Sequence, residues 1–502
     1  VPRPDSGPKT QELARLPYNS GTNCEAGDSP VESQGFLWLV QEIAVISPRL
    51  FVPLLILALP FLLIPILVTS GGPDIPRSLP LGLPGGSFLG LNYSLVVGAI
   101  LLFQIYFWAV GFRALLQTLL WVPGIRPGGK IDPSQDFPLI SVIVPAHNEQ
   151  ATIEECLRSV LEQDYPRYEV ILVDDRSKDL TASIASDLAR GRSNFELITL
   201  RNLAHGWTGK CHALDVGVRH ASGEWLAFLD ADSSLDRTAL RQCYHAAQKN
   251  KVSMVTLSPK FMLKTFWEKA LQPAFAVASS ILFPLPQVND PSSPVASANG
   301  MFFLISRYAY EKIGGHNDVK GLAVEDIGIG KRVKASGLGL LFANGKHLLR
   351  TRMYTGFRAT LDGWTRILAA SMNYSVATVA RHLAIHTLMS PFIAVLALYI
   401  FVPAAQRLFP ATWFVLPLIL ALELLVVPPW FCSQLGISKK YCVLMFLGNI
   451  FLIWTFAVMI KKILMKDALQ WRGTTYETHL YQPTALNPAT GSHESGPAAE
   501  RF

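Results

Sequence analysis

LISVIVPAHNE (139–149), YEVILVDDRSKDLT (168–181) and EWLAFLDADS (224–233) are three short apolar runs, each ending in carboxylates. Each apolar run is too short for a typical helix and rich in Val, Ile, Leu and aromatic residues. Unbroken apolar runs of this length suit strands buried on both faces. Between the first two, Ile153, Cys156, Leu157, Val160 and Leu161 recur at helical spacing within 151–163. Residues 181–190 and 213–221 read as further helices, and FELITL (195–200) as another strand. Strand–helix–strand repetition predicts an α/β fold with a mainly parallel sheet covered by helices. Ligands of such sheets bind beyond the carboxyl ends of the strands, where the polar residues fall here.

Glu149, Asp174, Asp175, Asp230 and Asp232 are thereby expected on one rim. Singly, each aspartate could cap a helix. Together they repel unless a cation or a donor-rich ligand sits among them. Hard oxygen ligands favour Mg²⁺ or Mn²⁺, which take one or two carboxylates and fill their shell from phosphates and water. A further acidic pair, Glu325-Asp326, precedes a helix-like segment at 327–334. Carboxylates are favoured there by the helix dipole.

VIVPAHNE, VDDRSKDLT, GKCHALDVG and FLDADS resemble, in this order, the motifs of family 2 glycosyltransferases with a GT-A fold. The resemblance covers about 138–366. It implies a Rossmann-like sheet, a nucleotide-sugar donor (a UDP-sugar first) and a divalent metal. It assigns Pro145 and Glu149 to the nucleotide pocket, Asp175 to the base and ribose, and Asp230 to the ribose and diphosphate. Asp232 would ligate the metal and Lys210 would lie near the donor, where an ammonium suits a diphosphate. Asp326 would be the catalytic base, with Glu325 beside it. A single in-line displacement would invert the anomeric centre.

Many processive polysaccharide synthases carry Q-x-x-R-W after the base; this chain does not. It has RTRMY (350–354) and GWTR (363–366) instead. Arg352, Tyr354, Trp364 and Arg366 are candidates for the diphosphate or the acceptor, and equally for an interfacial aromatic-basic belt. The pattern is similar to that of bacterial carotenoid- and hopanoid-associated glycosyltransferases. That resemblance implies transfer to a lipid acceptor rather than polymerisation. A processive synthase and a non-catalytic scaffold are the rival readings; the full carboxylate set disfavours the scaffold.

The 502 residues are 50% hydrophobic and 16% charged, against roughly 25% charged in soluble domains. Five apolar stretches are expected to cross a bilayer: 47–70, 91–122, 384–406, 411–431 and 441–460. The catalytic region is then 124–381, between two spans in 47–122 and about three in 384–464. Its placement beside cytosolic nucleotide sugars makes the chain a multi-pass protein with a cytosolic catalytic domain. Lys439 and Lys440 fit that topology, whereas Lys461, Lys462 and Lys466 do not unless one stretch is re-entrant. Residues 264–286 read as a segment lying in the membrane interface, and Asn299-Gly300 as a turn shaping the acceptor pocket. Residues 1–46 and 465–502 read as polar tails. The net charge of +7 fits an anionic membrane or a phosphate-bearing substrate. No dense basic run with interleaved aromatics speaks for nucleic acid. The six cysteines form no C-x-x-C pair and are expected to be reduced.

Overall fold

The computed structural model describes residues 122–128, 136–388 and 438–465, short pieces at 87–88, 91–92, 469–471 and 474–476, and isolated positions between them. The tail at 1–46, the first span and nearly all of the second, third and fourth spans lie outside these residues.

The three quoted runs become strands β1 (Ile140–Ala146), β2 (Tyr168–Asp175) and β4 (Trp225–Leu229), with β3 (Phe195–Leu200) at the edge. They pair in parallel, β3 to β2, β2 to β1 and β1 to β4. Helices α1 (Ile153–Leu161), α2 (Thr181–Ala189) and α3 (Gly209–His220) connect them. α3 begins four residues before the expected 213 because Thr208 caps it, its hydroxyl accepting from Cys211 N at 3.4 Å.

Alternation along each strand explains the continuous apolar runs. Val142, Val144, Val170, Leu172 and Ala227 face one core with Leu157 of α1. Ile143 and Phe228 face a second core on the opposite side of the sheet. Both faces are covered, so the strand interiors are mostly apolar, and the polar residues they hold, such as Ser141 and Thr256, are hydrogen-bonded.

Beyond β4 the chain runs through β5 (Ser233–Leu235), α4 (Ala239–Asn250), β6 (Met254–Ser258), β7 (Lys260–Phe261) and α5 (Phe266–Leu282). β8 (Phe302–Ser306), α6 (Glu325–Ala335), β9 (Leu340–Asn344) and β10 (Leu349–Thr351) follow. The main sheet has seven strands in the order β9-β6-β8-β4-β1-β2-β3. β8 alone in it is antiparallel to its neighbours, inserted between β4 and β6. The sheet is mainly parallel, as expected, with this one antiparallel strand. A second sheet, β5-β10-β7, sits on the rim, with β10 antiparallel to β5 and parallel to β7.

Three helices complete the described structure: α7 (Phe357–Ser371), α8 (Val376–Leu388) and α9 (Met445–Leu464). Among the described residues α9 is the one helix long and apolar enough to cross a membrane. α5 is the segment expected in the membrane interface. It buries Leu271, Phe275 and Ala278 in a third core with Leu368 of α7 and Leu452 and Phe456 of α9. Its exposed apolar residue is Phe266, at its first turn. The polar tail expected after 465 contains a short antiparallel pair, Leu469–Trp471 with Thr474–Tyr476. The described cysteines are all free.

α9 crosses α5 very closely. A Cβ on Gly448 would lie 2.1 Å from the Ala270 carbonyl oxygen, so this crossing needs a residue without a side chain. Gly448→Ala is expected to force the helices apart and destabilise the fold by roughly 1–3 kcal/mol, the usual cost of overpacking. Thermal unfolding in detergent checks this, with Gly124→Ala, whose added methyl meets nothing within 4 Å, as a control for general glycine loss.

Candidate active site

The aligned strand ends bring the polar residues together. Ala146 of β1 pairs with Asp174 of β2, and β4 ends one residue before Asp230. Asp174 and Asp175 point to opposite faces. Asp175 lines the cleft beyond the strands, as do Pro145, Glu149, Lys210, Asp230, Asp232, Glu325 and Asp326. Asp174 does not line it; it is buried, on the face shared with Leu172.

Lys210, in the first turn of α3, holds the centre. Its Nζ lies 2.7 Å from Asp230 Oδ1 and 2.8 Å from Glu325 Oε1. Burial opposes its charge, but Asp230 and Glu325 outweigh burial and hold its pKa well above the usual lysine range. Glu325 is itself buried, which favours the neutral acid; the Lys210 ammonium overcomes this and keeps its carboxyl below the usual range.

Asp326 is placed differently. Burial and the adjacent Glu325 charge push its pKa up to about 6, against Lys210 and two backbone donors. Those donors are Gly300 N, 2.6 Å from Oδ2, and Ile327 N, 2.8 Å from Oδ1. Gly300 belongs to the turn expected at Asn299-Gly300. A Cβ there would lie 2.9 Å from Asp326 Oδ2 and 3.1 Å from Lys210 Nζ, so glycine keeps the space between them open. Two adjacent carboxyls thus differ in state near pH 6, one ionised and one poised to exchange a proton.

Asp175 is gripped by its own neighbour. Arg176 Nε and Nη2 reach its two oxygens at 2.7 and 3.0 Å. Arg176 takes a left-handed backbone, φ 59°, a costly conformation for a residue with a long side chain. Glu149 accepts from the Thr152 hydroxyl at 2.9 Å. Asp232 accepts from the Ser233 hydroxyl at 3.3 Å. Among the described residues no three His, Cys, Asp or Glu side chains cluster as a metal cage. Asp230 and Asp232 fit an ion that draws its remaining ligands from phosphate and water.

The cleft, about 400 Å³, continues away from this charged end. Its other arm is lined by Phe283, Leu285, Phe342, Met353, Tyr354, Trp364 and Ile367. Trp364 donates to Gln272 Oε1 at 2.8 Å and stacks on Phe275 at 5.5 Å. Arg366 lines the cleft and donates to the Ala323 carbonyl at 2.5 Å. Arg352 does not line it. Its guanidinium pairs at 2.9 Å with Glu268, which is 1% exposed at the start of α5. Gly300's contact with Asp326 and the apolar arm escape the sequence, because each depends on residues brought together by folding; Arg176 adjoins Asp175 in the chain, and its pairing there rests on its left-handed backbone. A left-handed position at an arginine carries no local signal.

With this geometry in place, residues 141–314 match the family model described as Glycosyl transferase family 2. Over that stretch the chain is similar to family 2 glycosyltransferases. It is 28% identical over 235 residues to the 4,4'-diaponeurosporenoate glycosyltransferase of Staphylococcus haemolyticus (strain JCSC1435), covering 46% of this chain and 61% of that one. It is 27% identical over 234 residues to the enzyme of the same name from Staphylococcus aureus (strain MRSA252), covering 46% and 60%. The chain thus spans about three fifths of the length of these relatives. Among solved structures, it is similar to the mannosyltransferase PcManGT from Pyrobaculum calidifontis in complex with GDP-Man and Mn²⁺. That likeness has a TM-score of 0.43 and 20% identity, over 74% of this chain and 98% of the other. It is also similar to S. aureus TarS 1–349 in complex with UDP-GlcNAc, at a TM-score of 0.33 and 15% identity, over 67% of this chain and 99% of the other.

The Lys210 cluster leads to a direct electrostatic prediction. Removing the Glu325 charge removes a cause of the raised Asp326 pKa. In Glu325→Gln the Asp326 carboxyl should titrate below the value of about 6 in the parent protein. Infrared difference spectroscopy of the carboxyl stretch, with Asp326→Asn to assign the band, measures it.

Proposed function

We propose that this chain is a membrane-bound, inverting, metal-dependent glycosyltransferase that moves a sugar from a nucleotide-sugar donor, a UDP-sugar first, to a hydroxyl of a lipid acceptor. One observation carries the reading: a single cleft is lined both by the Lys210–carboxylate cluster that includes Asp326 and by a set of large apolar side chains. A nucleoside diphosphate suits the end with Lys210, and a hydrocarbon suits the arm with Phe283 and Met353. The apolar arm borders α5, which packs on the one described membrane-length helix. The matched relatives are, by name, glycosyltransferases of a carotenoid acid, in keeping with a lipid acceptor.

In this mechanism Pro145, Glu149, Asp175 and Asp230 orient the nucleotide and ribose of the donor. Asp326 accepts the proton of the acceptor hydroxyl. The freed oxygen attacks the anomeric carbon, the bond to the diphosphate oxygen breaks, and the configuration inverts. Lys210 carries positive charge beside the departing nucleoside diphosphate. Asp232, with Asp230 beside it, would hold Mg²⁺ or Mn²⁺, which supplies Lewis-acid neutralisation of the diphosphate when bound. Tyr354, Trp364 and Arg366 line the path of the acceptor. The Arg366 guanidinium is held by Ala323, two residues before Glu325, and so stays close to the base.

Mass spectrometry of lipids from cells with and without the protein tests the activity. A new hexosylated lipid is the expected result; a sugar polymer would sink the reading in favour of a processive synthase. In the purified protein Asp326→Asn should lower transfer by roughly 10²–10⁴, the usual contribution of a general base. Chelation should abolish transfer and added Mn²⁺ restore it. The base must be ionised to act, so kcat/KM should fall as pH drops through about 6, and Glu325→Gln should move that limb to lower pH.

A further inference from the structure

Arg352 joins the two arms of the cleft through contacts that lie outside it. It follows β10, the middle strand of the rim sheet. On one side β10 pairs with β5, Thr351 opposite Ser233, directly after Asp232. Arg352 N extends this ladder to the Asp232 carbonyl at 3.4 Å. On the other side β10 pairs with β7, Thr351 opposite Phe261, and Met262 N reaches the Thr351 carbonyl at 2.8 Å. The chain then enters α5.

At that entry Glu268 has two tasks. One carboxylate oxygen accepts from Thr265 N at 3.1 Å and from Lys264 N, while Thr265 Oγ1 accepts from Glu268 N at 3.3 Å. This is a reciprocal capping box that starts the helix. The other oxygen takes Arg352 Nη2 at 2.9 Å. Glu268 is buried, which by itself favours the neutral acid. The amide donors and Arg352 outweigh burial and hold its carboxyl below the usual range. A buried carboxylate that lost its cation would carry a large penalty, so the pair has one stable arrangement. Downstream on α5, Gln272 fixes Trp364, and Ala276, Ser279 and Ser280 line the apolar arm.

We infer that Arg352 and Glu268 form a positioning clamp that sets the acceptor wall, α5, at a fixed distance from the Asp232 turn of the donor site. The inference deepens the donor–acceptor reading above and rests on it for its kinetic consequence. Arg352 acts through Glu268 and touches neither substrate. Its loss leaves the donor end assembled, because β5 and β10 remain paired through their backbones, but frees the start of α5. A misplacement of an ångström between reacting groups is enough to slow transfer strongly.

The test uses the full chain in detergent with Arg352→Met, Arg352→Lys, Glu268→Gln and the double variant Arg352→Met/Glu268→Gln. Hydrogen–deuterium exchange over 264–282 reads the clamp without substrate: Arg352→Met should exchange faster there and Arg352→Lys should retain most protection. Transfer from UDP-glucose to hexadecanol in micelles reads the consequence. Arg352→Met should raise the acceptor KM roughly tenfold or more while the Kd for UDP, from calorimetry, stays within about twofold. The double variant should be no worse than Arg352→Met alone, since both remove one interaction. Unchanged exchange at 264–282 in Arg352→Met overturns the clamp whatever the activity. A UDP Kd that rises as much as the acceptor KM also overturns it and makes Arg352 a diphosphate contact. If the parent protein transfers sugar to no lipid acceptor, the functional reading falls, while the exchange result still decides the clamp.

Discussion

The Lys210 ammonium between Asp230 and Glu325 is the interaction on which the rest of the site depends. Asp230, Glu325 and Asp326 arrive from two distant stretches of chain and would repel one another without a cation. Lys210 stands in the first turn of α3, where the helix dipole disfavours positive charge. Its position is stabilised by the carboxylates, and theirs by it. The N-terminus of α6 adds to the balance, because Glu325 and Asp326 occupy its first turn. One cation and two helix ends therefore hold three carboxylates in one cleft. They also divide the labour of the acidic pair: Glu325 is committed to Lys210, while Asp326 keeps an elevated pKa.

The second constraint is geometric. A sheet buried on both faces has room for a cluster of charged groups only beyond its strand ends, and so the charged arm forms there. The apolar arm is built by different elements, α5 and α7 with the turn around Phe283. Leu271 and Phe275 of α5 share a core with Leu452 and Phe456 of α9. The wall of the apolar arm and the membrane-length helix are thus parts of one packed unit.

Between the two arms lies the rim sheet. β10 touches the Asp232 turn on one side and leads the chain toward α5 on the other. Small sheets of this kind tolerate little independent movement of their edges, because backbone hydrogen bonds set the spacing. Arg352 adds a side-chain link to the backbone links, and Gln272–Trp364 ties α5 to α7 in turn. The donor and acceptor ends are connected through the rim rather than across the open cleft.

What the amino-acid order determined by itself was whatever repeats at short range. The runs at 139–149, 168–181 and 224–233 announce buried strands because both faces are apolar. The carboxylates at their ends announce a polar rim because strands of a parallel sheet finish on the same side. Helix starts near Thr181 and Glu325 were legible for the same local reason. The antiparallel β8 was not, since FFLIS reads the same in either direction and only its neighbours β4 and β6 give it one. Nor was Arg352, whose partner Glu268 lies 84 residues away and whose sequence context fits a substrate contact equally well. Gly300 beside Asp326 was not legible either, since the two are 26 residues apart and meet only in space. Periodicity is a property of neighbouring residues and can be read along the chain. Charge pairing and cleft shape are properties of distances in space, and only the tertiary structure decides them.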